Sequence, residues 1–241
     1  MQRRLALFQR DFTYAMIHDM KSPLNTILMG AHILNTGKLE EQAEKKKKYL
    51  QAISDECNHL LTLSNRVILL TQIEKDELQL HKETVVLEPL IDDLIEKFRL
   101  KTHKPVEFSK AFHHCNSVYA DAFCLREILS NLIDNAIKYS GDSPHIQITA
   151  EERNGSVIIR ITDNGIGIEE EHLAHIFDKF YRVSNSKRPP VRGYGIGLFY
   201  VKTMIHMHNG TIRVESQPGK GSCFIITLPQ THERQEIDII G

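Results

Sequence analysis

The chain holds no apolar run approaching the ~20 residues that a membrane-spanning helix requires, so no stretch of it reads as a span. The opening Met1-Gln2-Arg3-Arg4 leads into a short mixed stretch, Leu5 to Phe12, and does not read as a secretory signal. Cysteine is scarce: Cys57, Cys115, Cys124 and Cys223 are scattered, with no C-x-x-C pair and no spacing for zinc ligation. That pattern implies reduced thiols in a cytoplasmic compartment. Neither sign of charge dominates, since 30 basic and 31 acidic residues leave a net −1. No global field draws the chain to nucleic acid or to an acidic substrate, and no nucleic-acid partner is expected. Residues 1–80 are poor in breakers, with one proline (Pro23) and two glycines (Gly30, Gly37). This leaves helix as the natural reading of that region.

What is present fits two domains. The length of 241 residues exceeds the ~100–150 typical of one domain. Hydrophobic content of 41% and charged content of 25% are ordinary for a soluble globular chain. A first helix is expected from about Leu5 to Leu34, stopped by Asn35-Thr36-Gly37. A second runs from about Glu40 to Leu78. Leu50, Ile53, Cys57, Leu60, Ser64 and Val67 mark a seam along it at alternating three- and four-residue spacing. Two long helices with a short loop make a hairpin, and a hairpin buries one face poorly. Pairing with a second copy into a four-helix bundle is the natural solution. The Lys45 to Lys48 run follows Glu40, Glu41 and Glu44, and reads as a solvated face with i,i+4 ion pairs.

From about His81 the pattern changes. Val85-Val86-Leu87 and Val106-Glu107-Phe108 read as short strands around a helix from Pro89 to Leu100. A helix over Asp121 to Tyr139 follows, then strands at His145 to Ala150 and Val157 to Thr162. A helix from about Ile196 to Met207 precedes a closing hairpin around Pro218-Gly219-Lys220-Gly221. The fold expected is multi-domain α and α+β: residues 1–80 a helical hairpin, 81–229 an α/β sandwich, 230–241 a tail.

Three stretches of the second half carry phosphate and base chemistry. In Asn131-Leu132-Ile133-Asp134-Asn135-Ala136-Ile137-Lys138-Tyr139, the residues Asn131, Asn135 and Lys138 share one helix face, and the apolar residues cover the other. Amide oxygens of Asn135 and Asn131, with nucleotide phosphates, suit a hard Mg²⁺, and Lys138 adds a point charge. In Asp163-Asn164-Gly165-Ile166-Gly167-Ile168, an acid at a strand end can accept from an adenine amino group while the glycines allow close approach. The same sequence is also good turn chemistry. Gly193-Tyr194-Gly195-Ile196-Gly197-Leu198 opens a helix, where free N–H groups and the dipole favour an anion. It lacks the Gly-Lys-Ser/Thr of a P-loop, and no strand precedes it as a dinucleotide fingerprint requires.

In this order and spacing the three stretches resemble the Asn box and two glycine boxes of the Bergerat-type ATP-binding domain. Ile176-Phe177-Asp178-Lys179-Phe180-Tyr181-Arg182 resembles its Phe box. The resemblance implies ATP and Mg²⁺ as cofactors, a lid over Ser184 to Arg192, and a phosphate contact from Arg182. It also implies packing of Tyr139 near the adenine. On the first helix, Ile17-His18-Asp19-Met20-Lys21-Ser22-Pro23-Leu24 resembles the H box of histidine kinases, with Asp19 in place of Glu and Ser22 in place of Thr or Asn. The chain is thus similar to the core of a two-component sensor histidine kinase over roughly residues 8–229.

That resemblance implies ATP-dependent phosphorylation of His18, then transfer to an aspartate of a response-regulator receiver domain. Imidazole near its reference pKa of ~6.5 offers a neutral nucleophilic nitrogen. A carboxylate, here Asp19, fixes the tautomer from the other side. Pro23 removes the helical partner of the Asp19 carbonyl and weakens the helix beside His18. Ser22, one turn along, implies a phosphatase activity toward the regulator. A sensor and inner-membrane anchor are expected upstream of this cytoplasmic part. The gyrase, mismatch-repair and chaperone ATPases of the same nucleotide fold carry a Glu four residues before the metal-binding Asn. Here that position is Asn131, and no transducer domain is expected in the chain. A catalytically dead dimeric scaffold and metal binding at His113-His114 or His206/His208 are the remaining alternatives.

Overall fold

A computed structural model describes residues 20–37, 42–74, 79–102, 104–179, 181–183 and 195–230. The chain divides into two compact units, Met1–Leu78 and Gln79–Gly241.

In the first unit, helix α1 covers residues 20–35 and α2 spans Ala43–Glu74. The two helices pass closely where Gly30 meets Ile53: a Cβ on Gly30 would stand 3.0 Å from Ile53 Cδ1. A larger residue there would push the helices apart. Leu24, Leu28 and Met29 of α1 and Leu50 and Leu61 of α2 remain between 45% and 66% exposed. Among the described residues nothing covers this apolar surface.

The second unit is built on a five-stranded sheet ordered β2-β4-β5-β7-β6, where β2 is Glu107–His113, β4 His145–Arg153, β5 Ser156–Asp163, β6 Thr211–Gln217 and β7 Gly221–Pro229. The β2–β4 pair is parallel and the others antiparallel. A separate antiparallel pair joins β1 (Lys82–Val86) to β3 (Ser117–Asp121). Every second residue of β5 is buried: Val157, Ile159, Ile161, Asp163. That period of two puts one face against helix α4 (Ala122–Tyr139), on which α3 (Leu87–Lys101) and α6 (Gly197–Met207) also pack. α3 buries Leu87, Leu90, Ile91, Leu94, Ile95 and Phe98, a stripe at helical spacing. Fully burying each such side chain contributes roughly 1.5–3 kcal/mol.

Several boundaries differ from the sequence reading. Leu87 opens α3 rather than ending β1, because its N–H donates to the Asn116 carbonyl (2.9 Å). Pro89 then falls in the first turn, where a missing N–H costs nothing. Strand β2 runs seven residues, not three, and its parallel pairing with β4 is long-range. β3 and the one-turn helix α5 (Glu170–Leu173) have no counterpart in the sequence reading.

Candidate functional site

The site is organised around α4. Asp121 caps its N-terminus, accepting from the Cys124 N–H (2.9 Å), and also takes the His81 N–H (2.9 Å). Burial alone would raise the Asp121 carboxyl, but the N–H donors outweigh it and hold it below the usual range. At the other end, Lys104 Nζ donates to the Ser140 and Gly141 carbonyls, satisfying the last turn. Between these anchors Leu132, Ile133, Ala136 and Ile137 are buried, so the opposite face carries the predicted polar residues.

Asn131 is itself buried, at 6% exposure, and its Nδ2 donates to the Glu127 carbonyl (2.7 Å). Its Oδ1 lies beside the start of α6: a Cβ on Gly197 would stand 3.1 Å from it. A side chain at 197 would press on the Asn131 carboxamide, and glycine lets the α6 N-terminus approach it without that pressure. Ile196 precedes that helix and no side chain among the described residues caps it, which leaves its first N–H groups to a ligand. Asn135 is half-buried and makes no side-chain hydrogen bond among the described residues. A carboxamide oxygen left in this way fits a hard divalent cation whose other ligands are phosphate oxygens. Lys138 is exposed and forms an ion pair with Asp134, one turn earlier. To serve a phosphate it must leave that carboxylate.

The second stretch closes the opposite wall. Asp163 ends β5 at 7% exposure. Its Oδ1 accepts from Gly165 N (2.8 Å) and Ser222 N (3.2 Å), while Oδ2 takes no hydrogen bond among the described residues. Burial pushes this carboxyl above its ordinary range, and the Gly165 and Ser222 N–H donors only partly offset that. A desolvated acceptor with one open oxygen suits an amino group of a base. The Tyr139 carbonyl accepts from Ile166 N (3.1 Å), which ties the α4 end to the glycine loop. The Tyr139 side chain is 43% exposed. Gly167 takes φ +69°, and a Cβ there would strike Gln217, whose carbonyl carbon would be 2.6 Å away.

The third stretch is described from Gly195, which takes φ +66°; Leu198 is half-buried in the first turn of α6. Arg182 lies exposed in 181–183. On α1, Ser22 is exposed and Pro23 buried. His18, Asp19, Gly193 and the segment 184–192 lie outside the described residues. The structure therefore brings Asn131 to Gly197, and Tyr139 to Gly165 and Asp163, with α4 carrying both groups.

Other residues of this neighbourhood escape the sequence reading. Ser216 Oγ receives the Ile168 N–H (2.8 Å) and bonds to the Gly221 carbonyl (2.8 Å). Gly219 N donates to the Ile166 carbonyl (2.7 Å), and Gly221 lies against the Asp163 backbone. Asn164 closes the loop from below, donating to the Ser143 carbonyl and accepting from His145 N. The sequence reading takes Pro218-Gly219-Lys220-Gly221 as a hairpin turn alone. The second glycine is the available signal, since a turn needs only one.

The metal alternatives find no support. His113 is the last residue of β2, and His206 is exposed. His208, 2% exposed, is committed at both nitrogens: Nδ1 to the Met204 carbonyl (2.7 Å) and Nε2 to Asp121 N (3.0 Å). The Asp121 amide can only donate, so Nε2 is bare and Nδ1 carries the proton. Among the described residues no group of three or more His, Cys, Asp or Glu is placed to hold a metal. No helix among them is long and apolar enough to cross a membrane. All four cysteines are free, and burial pushes the Cys124 thiol up to about 12.

A family model described as "Histidine kinase-, DNA gyrase B-, and HSP90-like ATPase" matches residues 120–232. One described as "His Kinase A (phospho-acceptor) domain" matches residues 8–76. The chain is 33% identical to the sensor protein RprX of Bacteroides fragilis over 232 residues, 95% of this chain and 45% of that protein. It spans less than half the length of the curated relatives it matches. The structure of histidine kinase ThkA in complex with response regulator TrrA matches with TM-score 0.63 and 26% identity, over 97% of this chain and 65% of that one. Full-length ShkA in complex with AMPPNP matches with TM-score 0.65 and 26% identity, over 91% of this chain and 45% of that one. With phosphoacceptor and ATPase modules in this order, the chain belongs to the sensor histidine kinases of two-component systems.

Proposed function

We propose that the chain transfers the γ-phosphoryl group of ATP to His18 and passes it to an aspartate of a response-regulator receiver domain. The observation that carries this reading is the pair of contacts along α4: the Asn131 carboxamide meets the α6 N-terminus at Gly197, and the end at Tyr139 meets the loop of a buried Asp163 whose Oδ2 is open among the described residues. Adenine would lie on Asp163 and the phosphates at the α6 N-terminus, with Lys138 and Arg182 as cationic partners. Asn135, with Asn131, would hold Mg²⁺, whose charge offsets that of the phosphates. In the transfer a neutral His18 nitrogen bonds to the γ-phosphorus as the bond to the ADP oxygen breaks, and the electron pair leaves with ADP. Asp19 would accept the hydrogen bond from the other ring N–H and stabilise the cation that develops.

Asn131 stands where the hydrolytic relatives of this nucleotide fold place a Glu, so that position offers no base for water, which favours transfer to a side chain. The exposed Leu24, Leu28, Leu50 and Leu61 support a homodimer through the hairpin. ThkA was solved with a response regulator, which favours a receiver domain as partner here. Ser22 is exposed on α1 with a hydroxyl able to orient water, which supports a phosphatase reaction on that partner. We place the unit in the cytoplasm, below a sensor and membrane anchor of a longer protein. Incubation with γ-labelled ATP and Mg²⁺ tests the reading: wild type takes up label, and Asn135→Ala and His18→Gln do not. Equal labelling of all three would end it.

A further inference from the structure

The segment between α5 and Arg182 is pinned from one side by the core. Ile176 and Phe177 are buried, and the Phe177 ring meets Phe224 of β7 edge-on at 6.3 Å. Beyond them the chain turns outward through backbone bonds, Asp178 N to the His175 carbonyl and Tyr181 N to the Asp178 carbonyl. Those bonds alone set no direction for the residues that follow.

A second anchor does. Tyr181 Oη lies 2.8 Å from His172 Nδ1 on α5, nine residues back in sequence. The Tyr181 ring also lies 5.5 Å from the His175 ring, so two imidazoles flank it. His175 is held in turn by Asp178 Oδ2 (2.9 Å), and His172 is mostly buried with Glu171 at 3.6 Å on its other nitrogen. The residue after Tyr181 is Arg182. A tyrosine tied at its hydroxyl fixes its own backbone, and so the point from which Arg182 departs.

From this geometry we infer that His172 is a positioning residue for ATP: through Tyr181 it sets where the Arg182 guanidinium meets the phosphates. The inference rests on the nucleotide reading above. His172 touches no nucleotide itself. Its loss therefore weakens a contact made equally in ground and transition states, which raises KM and leaves kcat in place.

The test is steady-state autophosphorylation of the full chain against ATP concentration, in four variants. His172→Ala and Tyr181→Phe each raise KM for ATP by about five-fold, the size of one lost neutral hydrogen bond, with kcat within about two-fold. The double variant is no worse than either single one, because both remove one bond. His172→Asn, whose carboxamide can occupy the Nδ1 position, restores at least half of the loss. An unchanged KM in His172→Ala, effects that multiply in the double variant, or a fall in kcat alone would overturn the assignment. A wild type that takes no label at all would remove the kinase reading first, and this inference with it.

Discussion

Gly221→Ala should damage both the fold and nucleotide binding, and Gly219→Ala should cost less stability and leave binding in place. Both glycines have positive φ, +78° at Gly219 and +96° at Gly221, so an alanine at either meets the left-handed penalty of about 1–2 kcal/mol. They differ in what surrounds them. A Cβ on Gly219 has nothing within 4 Å. On Gly221 it would overlap the Asp163 carbonyl, with the carbonyl carbon at 2.8 Å and Asn164 Cα at 3.1 Å. Those atoms are backbone and cannot swing aside, so the end of β5 must shift. Overpacking of that kind costs a further ~1–3 kcal/mol. For a chain of this size each kcal/mol lowers Tm by roughly 2–4 °C. Gly219→Ala should therefore fall by about 2–8 °C and Gly221→Ala by roughly 4–20 °C, with Gly221→Ala the lower in the same buffer. Asp163 would move with the strand, and misplacement of about 1 Å can cost up to two orders of magnitude in a positioned contact. Thermal melts and titration with a non-hydrolysable ATP analogue would be run on the two variants side by side. Equal Tm and equal affinity in the pair would refute the claim that the closing hairpin sets the place of Asp163.

Two further outcomes follow from the site's electrostatics. Asp163→Asn keeps an oxygen for the Gly165 and Ser222 N–H groups, so stability should stay within about 1 kcal/mol. The open position then presents an amide donor to an amino group, and analogue affinity should fall about tenfold or more; unchanged affinity would contradict the role given to Oδ2. His208 is neutral in the fold and its pKa is lowered, chiefly by burial, with Lys82 adding to the effect and the Met204 carbonyl and Asp121 opposing it. As pH falls below the unfolded value of ~6.5, the unfolded chain takes up a proton that the folded one refuses. Stability is thus full above that pH and declines below it, by at most ~1.4 kcal/mol per pH unit from this group. His208→Gln, able to accept from Asp121 N in place of Nε2, should flatten that slope in urea midpoints measured between pH 5 and 7.5. An identical slope would show that other groups carry it.

The legible parts of this protein are those whose signal is local. The α3 stripe and the apolar face of α4 follow from spacing alone, and the strand-to-glycine transition at Asp163 is visible as a run of letters. The nucleotide stretches are recognisable because each needs a residue type at a fixed offset: glycine where the backbone must pass Asn131, an acid where β5 ends. What escapes is pairing at a distance. β3 is five residues with only Val118 and Ala120 buried, too short to show a period. The edge strand β2 shows no period of two, since Glu107, Lys110 and His113 are exposed and the residues between them half-buried, and its parallel partner lies 38 residues on, Glu107 opposite His145. Ser216 of β6 and Gly221 and Ser222 of β7 act on the loop after β5 only because β7 pairs with both β5 and β6, a register no local pattern encodes. His208 looks like a candidate ligand until the Asp121 amide arrives from 87 residues away.

The account turns on an imidazole receiving phosphate. The most direct measurement is mass-spectrometric mapping of the chain after brief exposure to ATP and Mg²⁺, with digestion kept at neutral to alkaline pH. The modification should sit on His18, disappear on acid treatment, and be absent from Asn135→Ala. An acid-stable phosphate on a serine or threonine, or a modified peptide that does not contain His18, would contradict it.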